Sequence, residues 1–207
     1  MRKLFFIFAL AVGLLASASS LQAQVNMSSY ITLTVKKDSA IKLDFMAAAE
    51  GTPIRIVSGS NTQDIIVGTD WKGTASYTAD GTEMKVYGNL TVFNCSKNGA
   101  NLTALDPSHN TQLTYLACSY NSLSSLDVSK NKLLVQLGCS GDSLSSLNIS
   151  NNTNLKILDC SGNWLTFIDL SQNEHLVYLN CSNNMLSTLE ITDNRALIHL
   201  HCFNNRL

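Results

Sequence analysis

The chain has 207 residues, 45% of them hydrophobic and 14% charged, with 14 basic against 15 acidic side chains and a formal net charge of −1. No basic patch stands out of that balance, which excludes nucleic acid and anionic membrane surfaces as partners. Only 2 prolines and no low-complexity tract argue against a disordered linker, and the length suits one or two small domains.

Met1-Arg2-Lys3 leads into an apolar run from Leu4 to Ala16, followed by small residues up to Ala23. A short basic start, an apolar core and a small residue at the cut predict a secretory signal peptide over 1–23, cleaved after Ala23. The run is shorter than the ~20 apolar residues a bilayer asks for, so no membrane span is expected after cleavage. No cysteine follows it closely, which argues against a lipid anchor. The exported chain would begin at Gln24 with 12 basic and 15 acidic residues, a net charge near −3. Its expected place is outside the cell, secreted or at the cell surface.

Residues 24–89 do not repeat. Tyr30-Ile-Thr-Leu-Thr-Val35, Ile41-Lys-Leu-Asp-Phe45 and Ile54-Arg-Ile-Val57 alternate apolar and polar residues between turn signals such as Gly51-Thr-Pro53, Gly59-Ser-Asn61 and Gly68-Thr-Asp70. That pattern predicts five or six short antiparallel strands, with Asp80-Gly81 closing a tight hairpin. The small β-rich domain they make would cap the apolar end of the repeats that begin at Leu90.

From Leu90 onward the chain repeats. Cysteines fall at 95, 118, 139, 160, 181 and 202, the last five spaced by 21 residues each time. Leu155-Lys-Ile-Leu158-Asp-Cys160-Ser-Gly-Asn163 shows the frame, and Leu176-Val-Tyr-Leu179-Asn-Cys181-Ser-Asn-Asn184 repeats it. A second half, LxxLDxSxN, comes next in each coil with apolar residues such as Leu123, Leu126 and Val128. A period in this range with an LxxLxCxxN core predicts a leucine-rich-repeat solenoid over 90–207, five coils and part of a sixth, built around a parallel sheet. The fold class is therefore mainly β. The first repeat carries two extra residues around Gly99-Ala100 and Pro107 in place of an aliphatic, as a terminal repeat would. The cysteines stack one coil apart with parallel Cβ vectors, a geometry that suits a ladder of free buried thiols and not disulfides. One column of Asn or Asp (98, 121, 142, 163, 184, 205) and another of Asn (110, 131, 152, 173, 194) are expected to satisfy backbone groups at the two turns, each amide both donating and accepting.

The cysteine in an inward position of this 21-residue repeat resembles the internalin family of bacterial surface proteins, in its cysteine-ladder form. Repeats similar to Leu123-Ser-Ser-Leu-Asp-Val-Ser-Lys-Asn131 also occur in exported proteins of Bacteroidetes-type bacteria. The resemblance covers 90–207. It implies a right-handed solenoid, a concave parallel sheet and adhesive binding at a host or neighbouring surface. The chain stops at Arg206-Leu207, partway through a coil, which points to a longer protein and to self-association through the uncovered coil.

Strand alternation turns two columns outward on the concave sheet: Val92, Tyr115, Gln136, Ile157, Tyr178 and His199, then Asn94, Ala117, Gly138, Asp159, Asn180 and His201. Lys97, Tyr120, Gly141, Gly162, Asn183 and Asn204 lie just past the strand, followed by Trp164, Met185 and Arg206. These positions vary from repeat to repeat while the inward ones do not, which marks a recognition surface. The candidate ligand-binding residues are Tyr115, Tyr120, Ile157, Asp159, Trp164, Tyr178, Asn180, His199 and His201, with exposed Tyr and Trp as anchors. His199 and His201 share a strand face, but a third ligand at Asp159 would lie on the order of 10 Å along the stack, so no metal is expected. No HExxH, GxSxG, phosphate loop or calcium loop occurs, and the cysteines are committed to the ladder. No enzyme activity and no cofactor is expected. The sequence thus predicts an adhesin-like recognition module for protein or glycan, with a non-binding spacer of a larger surface protein as the alternative.

Overall fold

A computed structural model of the chain describes residues 24–207; the expected signal peptide lies outside them. No helix among the described residues is long and apolar enough to cross a membrane. Six strands come first: β1 (Tyr30–Val35), β2 (Ala40–Ala47), β3 (Thr52–Ser58), β4 (Asn61–Val67), β5 (Ala75–Thr78) and β6 (Glu83–Tyr87). The first coil comes next with β7 (Leu90–Asn94) and β8 (Leu102–Asp106). Later coils each add one three-residue strand: β9 (Tyr115–Ala117), β10 (Gln136–Gly138), β11 (Ile157–Asp159), β12 (Tyr178–Asn180) and β13 (His199–His201).

Two sheets contain all of these strands. One runs β4-β3-β6-β1-β8 and is antiparallel throughout. The other runs β13-β12-β11-β10-β9-β7-β2-β5, parallel from β7 to β13 and antiparallel where β2 joins β7. Alternation explains the first strands: Ile31, Leu33 and Val35 of β1 and Ile41, Leu43 and Phe45 of β2 are buried, while Thr32, Thr34 and Lys42 between them are more exposed; Asp44 departs from the pattern and is buried.

Asp80-Gly81 does not close a hairpin. The strand before it, β5, pairs with β2, and the strand after it, β6, pairs with β1 and β3, so the segment crosses from one sheet to the other. The tight hairpin is β3–β4 instead, with Ser58 opposite Asn61 around Gly59-Ser60. Gly59 sits at φ 58°, and a Cβ there would run into the Asp80 carbonyl. Asp80 holds this turn by accepting from Ser60 N at 2.9 Å and Ser60 Oγ at 2.6 Å. An Asp-Gly pair fits a hairpin locally; here the side chain is used to clamp a different turn.

In the solenoid the leucines and cysteines of LxxLxC point inward. Leu116, Leu137, Leu158 and Leu179 are fully buried, as are Cys95, Cys118, Cys139, Cys160 and Cys181, and all six cysteines are free thiols. The backs of the later coils are extended loops rather than strands; only the first coil has one, β8, which pairs with β1. In the last coil Ile191, Leu200 and Phe203 stand exposed because, within the described residues, no further coil lies over them.

The two asparagine columns behave differently. In the first, Asn163 donates Nδ2 to the Cys139 and Cys160 carbonyls and accepts from Leu144 N through Oδ1, so both halves of the amide are used. In the second, Asn152 donates to the Val128 and Asn131 carbonyls, and Asn131, Asn173 and Asn194 repeat the pattern. Their Oδ1 atoms, however, have no protein partner. The second column therefore satisfies carbonyls only, against the expectation that it would donate and accept alike.

Candidate concave binding face

The register of the parallel sheet fixes the surface. Val92, Tyr115, Gln136, Ile157, Tyr178 and His199 pair in succession, as do Asn94, Ala117, Gly138, Asp159, Asn180 and His201. The register of both columns is the one the repeat predicts, although Ala117 in the second is buried. They continue onto β2, where Met46 pairs with Val92 and Asp44 with Asn94.

Aromatic rings gather at the two ends of this face. At the far end Tyr178 lies 6.2 Å from His199 and 5.5 Å from His201, both rings tilted against it. At the near end Trp71 meets Tyr115 edge-on, ring centroids 5.8 Å apart. Trp71 belongs to the β4–β5 loop, is 48% exposed, and is not among the residues the repeat pattern singles out. Its signal is faint: a lone Trp between Gly68 and Gly73, in a segment with no period to say which way it faces. Partial burial lifts the Tyr115 phenol above its ordinary range. Tyr115 and Tyr178 are three rungs apart, about 14 Å at the usual strand spacing. Between them the floor is low, made by Gly138 with Gln136, Ile157 and Asp159 beside it.

Asp159 and Asn180 are held by their own turns. Asp159 Oδ1 accepts from Ser161 N at 3.1 Å and Oγ at 2.6 Å, and Asn180 Oδ1 takes the same two donors from Ser182. Their acceptor oxygens are partly committed to the backbone, which leaves the second carboxylate oxygen of Asp159 and the Asn180 amide for a partner. Among the described residues no three His, Cys, Asp or Glu side chains converge as a metal site would require.

The column past the strand has a backbone explanation. Lys97, Tyr120, Gly141, Gly162, Asn183 and Asn204 all have positive φ, between 54° and 66°. Gly and Asn suit that conformation, so part of the variation in this column reflects the turn and not a ligand. Tyr120 is the departure. It keeps a disfavoured conformation, is 58% exposed, and its ring lies where a Cβ on Gly141 would fall. Trp164, also exposed, sits two residues beyond the Gly162 turn, on the rim of the sheet and not on its floor. On the opposite side of the coils, Phe167 stands exposed beside a hollow of about 430 Å³ lined also by Ser146, Leu147 and Thr166.

No family model matches the chain, and no curated protein does. Solved structures do. The functional domain of InlJ from Listeria monocytogenes, which includes a cysteine ladder, is 41% identical over 56% of this chain and 26% of its own length, with a TM-score of 0.55. The internalin InlF of the same organism aligns over 47% of this chain and 30% of its own at 22% identity and a TM-score of 0.46. A leucine-rich-repeat protein of Leptospira interrogans aligns over 48% of this chain and 27% of its own at 28% identity, TM-score 0.46. The chain thus spans about a quarter of the length of the internalin structure it resembles at 41% identity. With the 21-residue coils, the parallel sheet and the stacked thiols, this makes the chain a leucine-rich-repeat solenoid that is similar to the internalins in their cysteine-ladder form.

Proposed function

We propose that this chain is an exported recognition module that binds a protein, adhesin-like, through the concave face. The observation that carries the reading is the pair of aromatic groups, Trp71–Tyr115 and Tyr178–His199–His201, flanking the low floor at Gly138. Aromatic side chains of this kind anchor interfaces because each buries much area at little entropic cost. Export rests on the basic and apolar residues of 1–23. A second contact is proposed at the last coil, where exposed Ile198, Phe203 and Leu207 would bring copies of the chain together.

The test has two steps. The chain from Gln24 onward is screened against surface and matrix proteins and against a glycan array, to find a partner and to separate the protein and glycan readings. Tyr115, Tyr178 and Trp71 are then replaced together by Ala, beside a control replacing Ser125, Ser146 and Thr188 on the coil backs. The aromatic triple should lower affinity by ~2 kcal/mol or more with folding kept, and the control should leave it unchanged. Loss in the control alone moves the site to the backs, toward Phe167. A chain that binds nothing in either screen is a spacer.

A further inference from the structure

Every coil reuses one hydrogen-bonding arrangement, and one coil lacks half of it. Asn121, Asn163, Asn184 and Asn205 each donate Nδ2 to two cysteine carbonyls, their own coil's and that of the coil before, at 2.6–3.1 Å. Shared in this way, the carbonyls of Cys95, Cys160 and Cys181 each receive two side-chain donors. Position 142 of this column is Asp, which has no Nδ2. The Cys118 and Cys139 carbonyls accordingly receive one side-chain donor each, from Asn121 and Asn163. Asp142 keeps the accepting half: its Oδ1 takes the Asn121 and Leu123 N–H groups, each at 3.1 Å. Its Oδ2 is buried with no protein partner, on a residue only 7% exposed.

We propose that Asp142 is a proton-binding site built into the asparagine column: protonated, it donates Oδ2–H to a Cys118 or Cys139 carbonyl and supplies one of the two missing donors; ionised, it leaves buried acceptors facing one another and the third coil loosens. A lone pair against a lone pair in a site closed to water is costly, and one proton removes the conflict. Nothing nearby compensates the charge. The titratable groups around it are the thiols of Cys95, Cys118 and Cys139, which burial keeps neutral, and Asp159 lies beyond Cys139. Among the described residues no Lys, Arg or His pairs with it. Burial lifts the Asp142 carboxyl to about 6 from an ordinary 3.8, against the pull of the two N–H donors on Oδ1. Because the folded value lies above the unfolded one, the stabilisation from the proton is complete below about 3.8 and is lost as pH rises through about 6. This contribution makes the third coil firmer in mildly acidic surroundings.

Urea unfolding of the protein and of Asp142→Asn tests this between about pH 7.5 and about pH 4.5. The remaining carboxylates titrate alike in both, so the ratio of the two unfolding constants isolates position 142. Asn at 142 restores both missing donors, so the variant should be the more stable at neutral pH. The ratio of native to variant unfolding constants should then fall by about tenfold or more on acidification. A ratio constant across the range overturns the proposal. Asn163→Asp should install a second loss of the same sign in the next coil. Should either variant fail to fold, the carboxyl carbon of Asp142 in the unaltered protein is titrated by NMR. A midpoint well above the carboxylate range supports the site, and one at an ordinary value near 4 overturns it.

Discussion

Each of the five fully buried cysteines, Cys95 to Cys181, is physically a small hydrophobe with a suppressed thiolate. Burial pushes the Cys118 and Cys160 thiols well above their ordinary range and the Cys181 thiol up to about 11. With so little thiolate at neutral pH, these buried thiols are poor nucleophiles. The parallel register sets the thiols one rung apart, about 4.8 Å, whereas a disulfide needs Cβ atoms at ~3.8 Å turned toward each other. Alkylating reagents should therefore leave the five buried cysteines, Cys95 to Cys181, untouched in the folded protein, reach the half-buried Cys202 first, and modify all six only after denaturation without reductant. Mass spectrometry finding a stoichiometric disulfide between any two of Cys118, Cys139, Cys160 and Cys181 would count against that. Cys160→Ser should destabilise by ~1–3 kcal/mol, measured by urea unfolding, because a hydroxyl at that fully buried spot has no assured partner. Tyr120 shows the opposite economy at the same scale. An aromatic residue in a left-handed conformation is disfavoured, and it persists here with its ring open to solvent.

At the scale of strands and coils, the parts the sequence revealed are those with a period. Leu155, Leu158 and Cys160 recur every 21 residues, so their inward direction and the outward columns between them could be read directly. Asp80-Gly81 and Trp71 were not legible for the opposite reason. They lie in a segment with no repeat, where only tertiary pairing decides which strand β5 joins and which way the loop before it faces. The second asparagine column was half legible: its position came from the repeat, but which atoms find partners depends on the local turn. Periodicity also tells how each coil is held: among the described residues every strand from β9 to β12 has a neighbour on both sides and β13 on one alone. The amides of Leu200 and Cys202 should consequently exchange with solvent faster than the equivalent Leu158 and Cys160 by orders of magnitude. Slow exchange in the last coil of a monomeric sample would contradict this, whereas protection that grows with protein concentration would reveal the proposed self-association.

Across the whole molecule, the non-repeating part and the solenoid share both their sheets. The two long sides of the first coil, β7 and β8, are each hydrogen-bonded to a strand of the first part, β2 and β1. Phe45 of β2 stacks on Phe93 of β7, ring centroids 6.3 Å apart and 11° from parallel, and one apolar cluster runs from Ile31 through Leu186 without a break. Removing residues 24–89 would expose Leu90, Phe93 and Leu102, all now fully buried, and would strip the edges of β7 and β8 at once. A solenoid coil stabilises mainly its neighbours, so losing the partner of the first coil weakens the array from that end. Two consequences can be measured. Unfolding followed by Trp71 fluorescence, in the first part, and by Trp164 fluorescence, in the solenoid, should give coincident midpoints, as one cooperative unit requires. The fragment 90–207 should unfold at clearly lower urea than the whole, or aggregate through its bared first coil. Two separate transitions, or a fragment as stable as the intact chain, would mean that the sheets are continuous in hydrogen bonding but independent in energy. The concave face would then be carried by the repeats alone, and Trp71 could move away from Tyr115 without disturbing them.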